Sequence, residues 1–200
     1  MTGTVITFTG KRVSPLSLAP EDVDIRDIAR ALAMTCRYRG HVVRYYSVAE
    51  HSVLVSQAVE ATYGQHYPKQ TAPTWLLRAA LLHDATEAYL GDLASPIKPL
   101  MPEYRAIERR LASPIETAFR LHRLEPAIVR RVDARIVADE VRVLFPGVDF
   151  WRGHAADAVP EQLGCVHVNG LAPERAERQF LERFEALSKD LAMGKWEDGQ

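Results

Sequence analysis

At 200 residues the chain is long enough to bury a sizeable core in one domain, and 47% hydrophobic with 26% charged residues is the balance of an ordinary globular protein. A net charge of −1 excludes the broad positive field expected of a protein whose main partner is a nucleic-acid polymer or an acidic membrane. Cys36 and Cys165 show no CxxC spacing and are expected as free thiols in a reducing compartment. The first segment, MTGTVITFTGKRVSP, lacks the basic-then-apolar pattern of a secretory signal, and no apolar run approaches a membrane span. A cytoplasmic protein is the expectation.

In chain order, TVITFTGKRV alternates apolar and polar residues around Thr9-Gly10 and predicts a short β-hairpin. From PEDVDIRDIARALAM the period becomes helical, with Val23, Ile25, Ile28, Ala29, Leu32 and Ala33 near one side. Pro20 and the acids Glu21, Asp22 and Asp24 suit a helix start. CRYRGHVVRYYS breaks the pattern at Gly40 and reads as a loop. Further helical patterns occupy about residues 48–63, 74–90, 102–121, 125–145 and 173–191. Residues 146–172 carry Gly, Pro and Asn and predict loops with one short helix or strand at most. No repeat, linker or βαβ alternation is visible, so the expected architecture is a single, mostly α domain over 1–200.

Three of the helical patterns carry ionisable residues on apolar faces. His51 lies three residues after Val48 and four before Val55. Taken alone, it reads as a core histidine bonded to a backbone carbonyl. In LLHDATEAYLGD, His83 and Glu87 share a face with Leu76, Ala79, Ala80 and Leu90, and Asp84 stands about 100° around from His83. By itself this fits a polar, solvent-facing edge. In PAIVRRVDARIVADEVRVLF, Val129, Asp133, Ile136, Val137, Glu140 and Leu144 follow helical spacing, so Asp133 interrupts a mostly apolar stripe, a place where an arginine partner would be the ordinary explanation. Together, two imidazoles and two carboxylates form a nitrogen–oxygen set suited to a divalent first-row metal. Such a cation would balance carboxylates that are expensive to bury unpaired.

The ordered segments YSVAEHSVLVS, LLHDATEAYLGDLASPIKP and VDARIVADE resemble the HD superfamily of metal-dependent phosphohydrolases. The resemblance spans roughly residues 5 to 145. It is to the branch holding the bacterial 5′-deoxynucleotidases and the phage-type deoxynucleoside triphosphohydrolases, the dATP-specific ones included. It implies an all-α HD-domain helical bundle preceded by the short hairpin. His51, His83, Asp84 and Asp133 would hold one divalent transition metal, which could be manganese, iron, cobalt, nickel or zinc. Glu87 would handle the proton of the attacking water, and Asp92 would help orient water or substrate. Arg37 is expected on the phosphate, Tyr38 near the sugar or base, and Lys98 at a second phosphate contact. Tyr38 stands where the monophosphatases would have tryptophan.

The implied activity is hydrolysis of deoxynucleoside 5′-monophosphates to deoxynucleoside and phosphate. The rivals are release of triphosphate from a dNTP, which extra cations such as Arg44, Arg130 or Arg131 near the site would favour, and a nucleotide-binding regulator without turnover. The expected partner is a small nucleotide, with no membrane and no nucleic-acid polymer; a homo-oligomer is expected by analogy. Tyr45 and Tyr46 are candidate pocket walls, with core packing expected for one of them. Asp139 and Glu140, one to two turns past Asp133, are alternative carboxylates outside the family position. His41 could line the pocket, whereas His66, His122, His154 and His167 show no ligand spacing.

Overall fold

The computed structural model describes residues 3–94, 96–155 and 158–192. It is mostly helical, with a small antiparallel hairpin at the front, consistent with the expected all-α HD fold. Strands β1 (Val5–Ile6) and β2 (Arg12–Val13) pair with Val5 opposite Val13. Gly10 takes φ +84 in the connection, a left-handed value that suits glycine. Two bonds from Thr9, backbone N (2.6 Å) and Oγ1 (2.8 Å), go to buried Asp27 and fasten the turn to the first helix.

That helix, α1 (Ile25–Met34), begins later than its acidic lead-in suggests. Pro20–Asp22 forms a separate 3₁₀ turn, and Asp24 is the N-cap, accepting the Arg26 N–H at 3.0 Å. The cap needs extended backbone, so the regular helix can start only after it. Helix α2 (Val48–His66) starts from Ser47, whose hydroxyl accepts the Glu50 N–H at 3.1 Å. It is buried on almost every side of its first three turns, with α1, α3 (Thr74–Leu82), α6 (Ala127–Leu144) and α7 (Pro173–Ala192) packed around it. One apolar cluster gathers Ile28, Leu32, Leu81, Leu111, Ile115 and Phe180; a second gathers Val55, Val59, Leu77, Val129, Ile136 and Leu144.

The single helix expected over 74–90 is instead α3, a turn at 83–86, and the short α4 (Glu87–Leu90), which Gly91 ends at φ +77. The break has a side-chain cause. His83 Nδ1 donates to the Ala80 carbonyl at 2.8 Å, the oxygen that the Asp84 N–H would take in a continuing α-helix. The next bonds are tighter: Ala85 N–H to Leu82 O and Glu87 N–H to Asp84 O, both 2.9 Å. Helix α5 (Pro102–Phe119) opens on a proline, contains Pro114, and ends at Arg120 in the left-handed region.

Among the described residues of 146–172 there is no α-helix or strand. This stretch is held by carboxylates instead. Glu50, 2% exposed, accepts three successive backbone N–H groups, from Asn169 (2.8 Å), Gly170 (3.1 Å) and Leu171 (2.7 Å). Burial pushes Glu50 up from the usual carboxylate range, and those three N–H groups oppose the shift. Asp139 on α6 accepts from Leu163 (2.7 Å) and Gly164 (3.1 Å). No helix among the described residues is long and apolar enough to cross a membrane. Both cysteines are free thiols.

Gly170 sits where a β-carbon would lie 2.5 Å from Arg44 Cδ and 2.8 Å from the Tyr45 carbonyl, at φ +71. Gly170→Ala is expected to lower stability by about 1–3 kcal/mol. Urea denaturation measures this, and an unchanged midpoint would show that the loop does not hold this close approach.

Candidate functional site

The ionisable residues that interrupt three apolar faces come together. His51 on α2, His83 at the end of α3 and Asp133 on α6 offer donor atoms all within 4.8 Å of one another. His51 Nε2 is 3.0 Å from Asp133 Oδ1 and 3.3 Å from His83 Nε2. Asp84 Oδ2 stands 3.2 Å from His83 Nε2 and 3.8 Å from His51 Nε2, at the side of the group. Both imidazoles are buried.

The donor set tests well against a divalent cation. Each Nδ1–H is already committed, that of His51 to Glu140 Oε1 at 2.6 Å and that of His83 to the Ala80 carbonyl at 2.8 Å. In the neutral rings both Nε2 atoms therefore present lone pairs, facing each other and two carboxylates. Lone pairs so placed repel unless a proton or a metal sits among them. The same demand appears in the acidities. Burial disfavours charge on His83, yet Asp84 and Asp133 hold its proton on well above the ordinary histidine range. Burial likewise works against the Asp84 carboxylate, while His83 brings it down to about 2.

Beside the group lies a cavity of about 520 Å³. Every residue expected to act on substrate or water lines it: Arg37, Tyr38, Glu87, Asp92 and Lys98, with Asp84 and Asp133. Ala134, Val137 and Phe150 supply an apolar side. Glu87 is 7% exposed, and burial pushes its carboxyl up to about 8, with Asp84 and Asp92 adding and Lys98 offsetting in part. Lys98 is not a free cation. Its Nζ lies 3.1 Å from both Glu87 Oε1 and Glu108 Oε1.

Arg37 and Tyr38 are likewise engaged from behind. Glu140, fully buried on α6, accepts Arg37 Nη2 (3.1 Å) and the Tyr38 hydroxyl on Oε2, and the Tyr46 hydroxyl (2.8 Å) and His51 Nδ1 on Oε1. Burial alone would raise this acid. The Arg37 guanidinium, and after it the His51 imidazole, keep it well below the usual carboxylate range. Glu140 is therefore no member of the metal-facing set but the group behind one of its imidazoles. The signal was present in the sequence, since a carboxylate on an apolar stripe needs donors; which donors, the sequence did not say. Asp139 turns to the 163–164 backbone instead.

Residues 37–40 form a 3₁₀ turn in which Tyr38 (φ 54, ψ 25) and Arg39 (φ 58, ψ 24) are both left-handed, followed by Gly40 at φ 78. For non-glycine residues this costs roughly 1–2 kcal/mol each. It aims Arg39, which sequence reasoning passed over, into the cavity wall, where Nη1 donates to the Asp92 carbonyl at 3.2 Å. No residue type in Tyr-Arg announces such a conformation. Of the other candidates, Tyr46 is buried on Glu140 and Tyr45 bonds the Ala33 carbonyl. Arg44 packs on Gly170, and Arg130 donates to the Glu125 carbonyl at 2.7 Å. His41, His66, His122, His154 and His167 do not join the donor group.

The donor set predicts that Asp133→Ala and His51→Ala each lose a divalent metal that the wild type retains through dialysis. Elemental analysis reads this, and full occupancy in Asp133→Ala would remove Asp133 from the set.

Residues 26–132 match the family model described as 5′-deoxynucleotidase YfbR-like, a span ending one residue before Asp133. A protein of Escherichia coli (strain K12), named as the uncharacterized protein YfdR, is 35% identical over 186 residues, covering 92% of this chain and 94% of its own length. An uncharacterized protein of Rhodobacter capsulatus is 36% identical over 189 residues, covering 93% of this chain and 83% of its own. The chain belongs to the YfbR-like 5′-deoxynucleotidase family, within the HD-type phosphohydrolases.

Proposed function

We propose that the protein is a metal-dependent hydrolase of deoxynucleoside 5′-monophosphates, releasing deoxynucleoside and phosphate. One observation carries the choice of substrate class. The cations lining the cavity are Arg37, Arg39 and Lys98, against the carboxylates of Asp84, Glu87, Asp92 and Asp133. Arg44, Arg130 and Arg131, the cations that would have served a triphosphate tail, are not among its lining residues. That charge balance suits a single phosphate better than three.

His51, His83, Asp84 and Asp133 would hold the metal. When bound there, it lowers the pKa of water and neutralises charge on the phosphoryl oxygens. In its ionised form, Glu87 takes a proton from the attacking water as the new oxygen–phosphorus bond forms and the bond from phosphorus to the 5′ oxygen breaks. The proton passes to the leaving 5′ oxygen, completing deoxynucleoside and phosphate. Asp92, on the same cavity wall, orients water or substrate. Arg37 meets the phosphate with the guanidinium edge not used by Glu140. Lys98 holds Glu87 and contributes positive charge at the phosphate. Tyr38 stands edge-on to Phe145 and Phe150, with ring centroids 5.2 and 6.3 Å away, and forms an aromatic wall for sugar and base.

Metal-stripped protein reloaded with manganese, cobalt or zinc and offered dNMPs, NMPs and dNTPs tests this reading. Orthophosphate and nucleoside from dNMPs are expected. Triphosphate from dNTPs would instead make the protein a triphosphohydrolase, and bound nucleotide without turnover a regulator. Glu87→Gln should keep the metal while lowering kcat at least ~100-fold; undiminished turnover would remove Glu87 from proton transfer.

A further inference from the structure

Glu140 touches both halves of the site from behind, out of reach of the cavity. Its Oε1 holds Nδ1 of His51, whose other nitrogen faces the donor group; its Oε2 holds Tyr38 and Arg37, which line the cavity. With Tyr46 on Oε1, four donors meet its two oxygens, which fills the acceptor capacity of a carboxylate. The turn it grips carries two consecutive left-handed non-glycine residues, a conformation that persists only where surrounding contacts over-determine it. The turn's other hydrogen bonds include Arg37 N–H to Tyr46 O (2.8 Å), His41 N–H to Tyr38 O (3.0 Å) and Arg39 Nη1 to Asp92 O (3.2 Å). Two of the three are carried by backbone atoms alone. Among the described residues, the Tyr38 and Arg37 side-chain bonds to Glu140 are the hydrogen bonds that tie the turn to a helix of the core, with Arg37 Nη1 also 3.9 Å from Asp84 Oδ2 in the 83–86 turn.

We propose that Glu140 is a positioning residue that couples the metal side of the site to substrate recognition, orienting the His51 imidazole with one oxygen and holding the Arg37–Gly40 turn in its left-handed form with the other. The proposal rests on the reading of Arg37 and Tyr38 as substrate contacts and of His51 as a metal ligand. It assigns Tyr38 a second task besides forming the aromatic wall, since its hydroxyl is the turn's handle on α6. It also gives the side-chain identity of Tyr46 a role, as the second donor that fixes which way the Glu140 carboxylate is rotated.

Glu140→Gln keeps the shape but replaces one acceptor oxygen with an NH₂ group, which faces a donor whichever way the amide turns. Well below the melting temperature, its metal affinity, read by competition with a chromogenic chelator, should fall about 10–100-fold. The strongly deshielded proton of the His51 Nδ1–H should disappear from the proton NMR spectrum. Trypsin cleavage after Arg37 or Arg39, relative to exposed Arg152, should accelerate at least ~tenfold as the turn opens. Tyr38→Phe should speed that cleavage and raise KM more than it lowers kcat, with metal affinity unchanged. Wild-type metal affinity in Glu140→Gln, or wild-type turn cleavage in Tyr38→Phe, overturns the coupling. A wild-type protein that hydrolyses no nucleotide sinks the proposed function, while affinity, spectrum and cleavage still decide this one.

Discussion

A carboxylate withdrawn from water must be met by donors or a cation, and that constraint organises this molecule. Glu140 is fully buried and Glu50 nearly so, and each has recruited a different part of the chain. Glu140 draws in His51, Tyr46, Tyr38 and Arg37, so that α2, the segment before it and the 37–40 turn converge on α6. Glu50, next to His51 on α2, draws in the backbone at 169–171 and anchors a long stretch that has no regular structure of its own. Neighbours on one helix thus face opposite duties: His51 serves the site, and Glu50 secures the loop.

These networks need not add stability. Replacing a buried charge pair with apolar groups is often neutral or favourable, whereas removing one partner alone is costly. What the Glu140 network supplies is a unique geometry. Without it, the His51 ring could rotate and the Tyr38–Arg39 backbone could relax out of the left-handed region. The same logic holds at the break between α3 and α4. There the His83 side chain takes a carbonyl from the helix, so one bond both fixes the imidazole tautomer and swings Asp84 and Glu87 towards the cavity.

The cavity's electrostatics follow from this arrangement. Arg37 and Lys98 are each already engaged by a carboxylate, and Arg39 by a carbonyl. Their charge is pre-positioned rather than free to wander, which reduces the ordering needed when an anionic ligand arrives. Lys98 between Glu87 and Glu108 also explains why the buried Glu87 is pushed up less than its burial and its acidic neighbours alone would dictate.

By itself the sequence determined the helical class, the hairpin around Gly10, and the polar residues that break apolar faces at His51, His83 and Asp133. These were legible because helical periodicity and the cost of burying charge are local properties of the chain. Tertiary structure alone decided the partners. Glu140 could be seen as a carboxylate on an apolar stripe, but its four donors lie about ninety to a hundred residues away. The left-handed turn at Tyr38 and Arg39, the place of Arg39 on the cavity wall and the division of 74–90 by a histidine side chain were equally hidden. In each case a non-local or side-chain contact outweighs the intrinsic preference of the backbone, and such contacts exist only once the helices have packed.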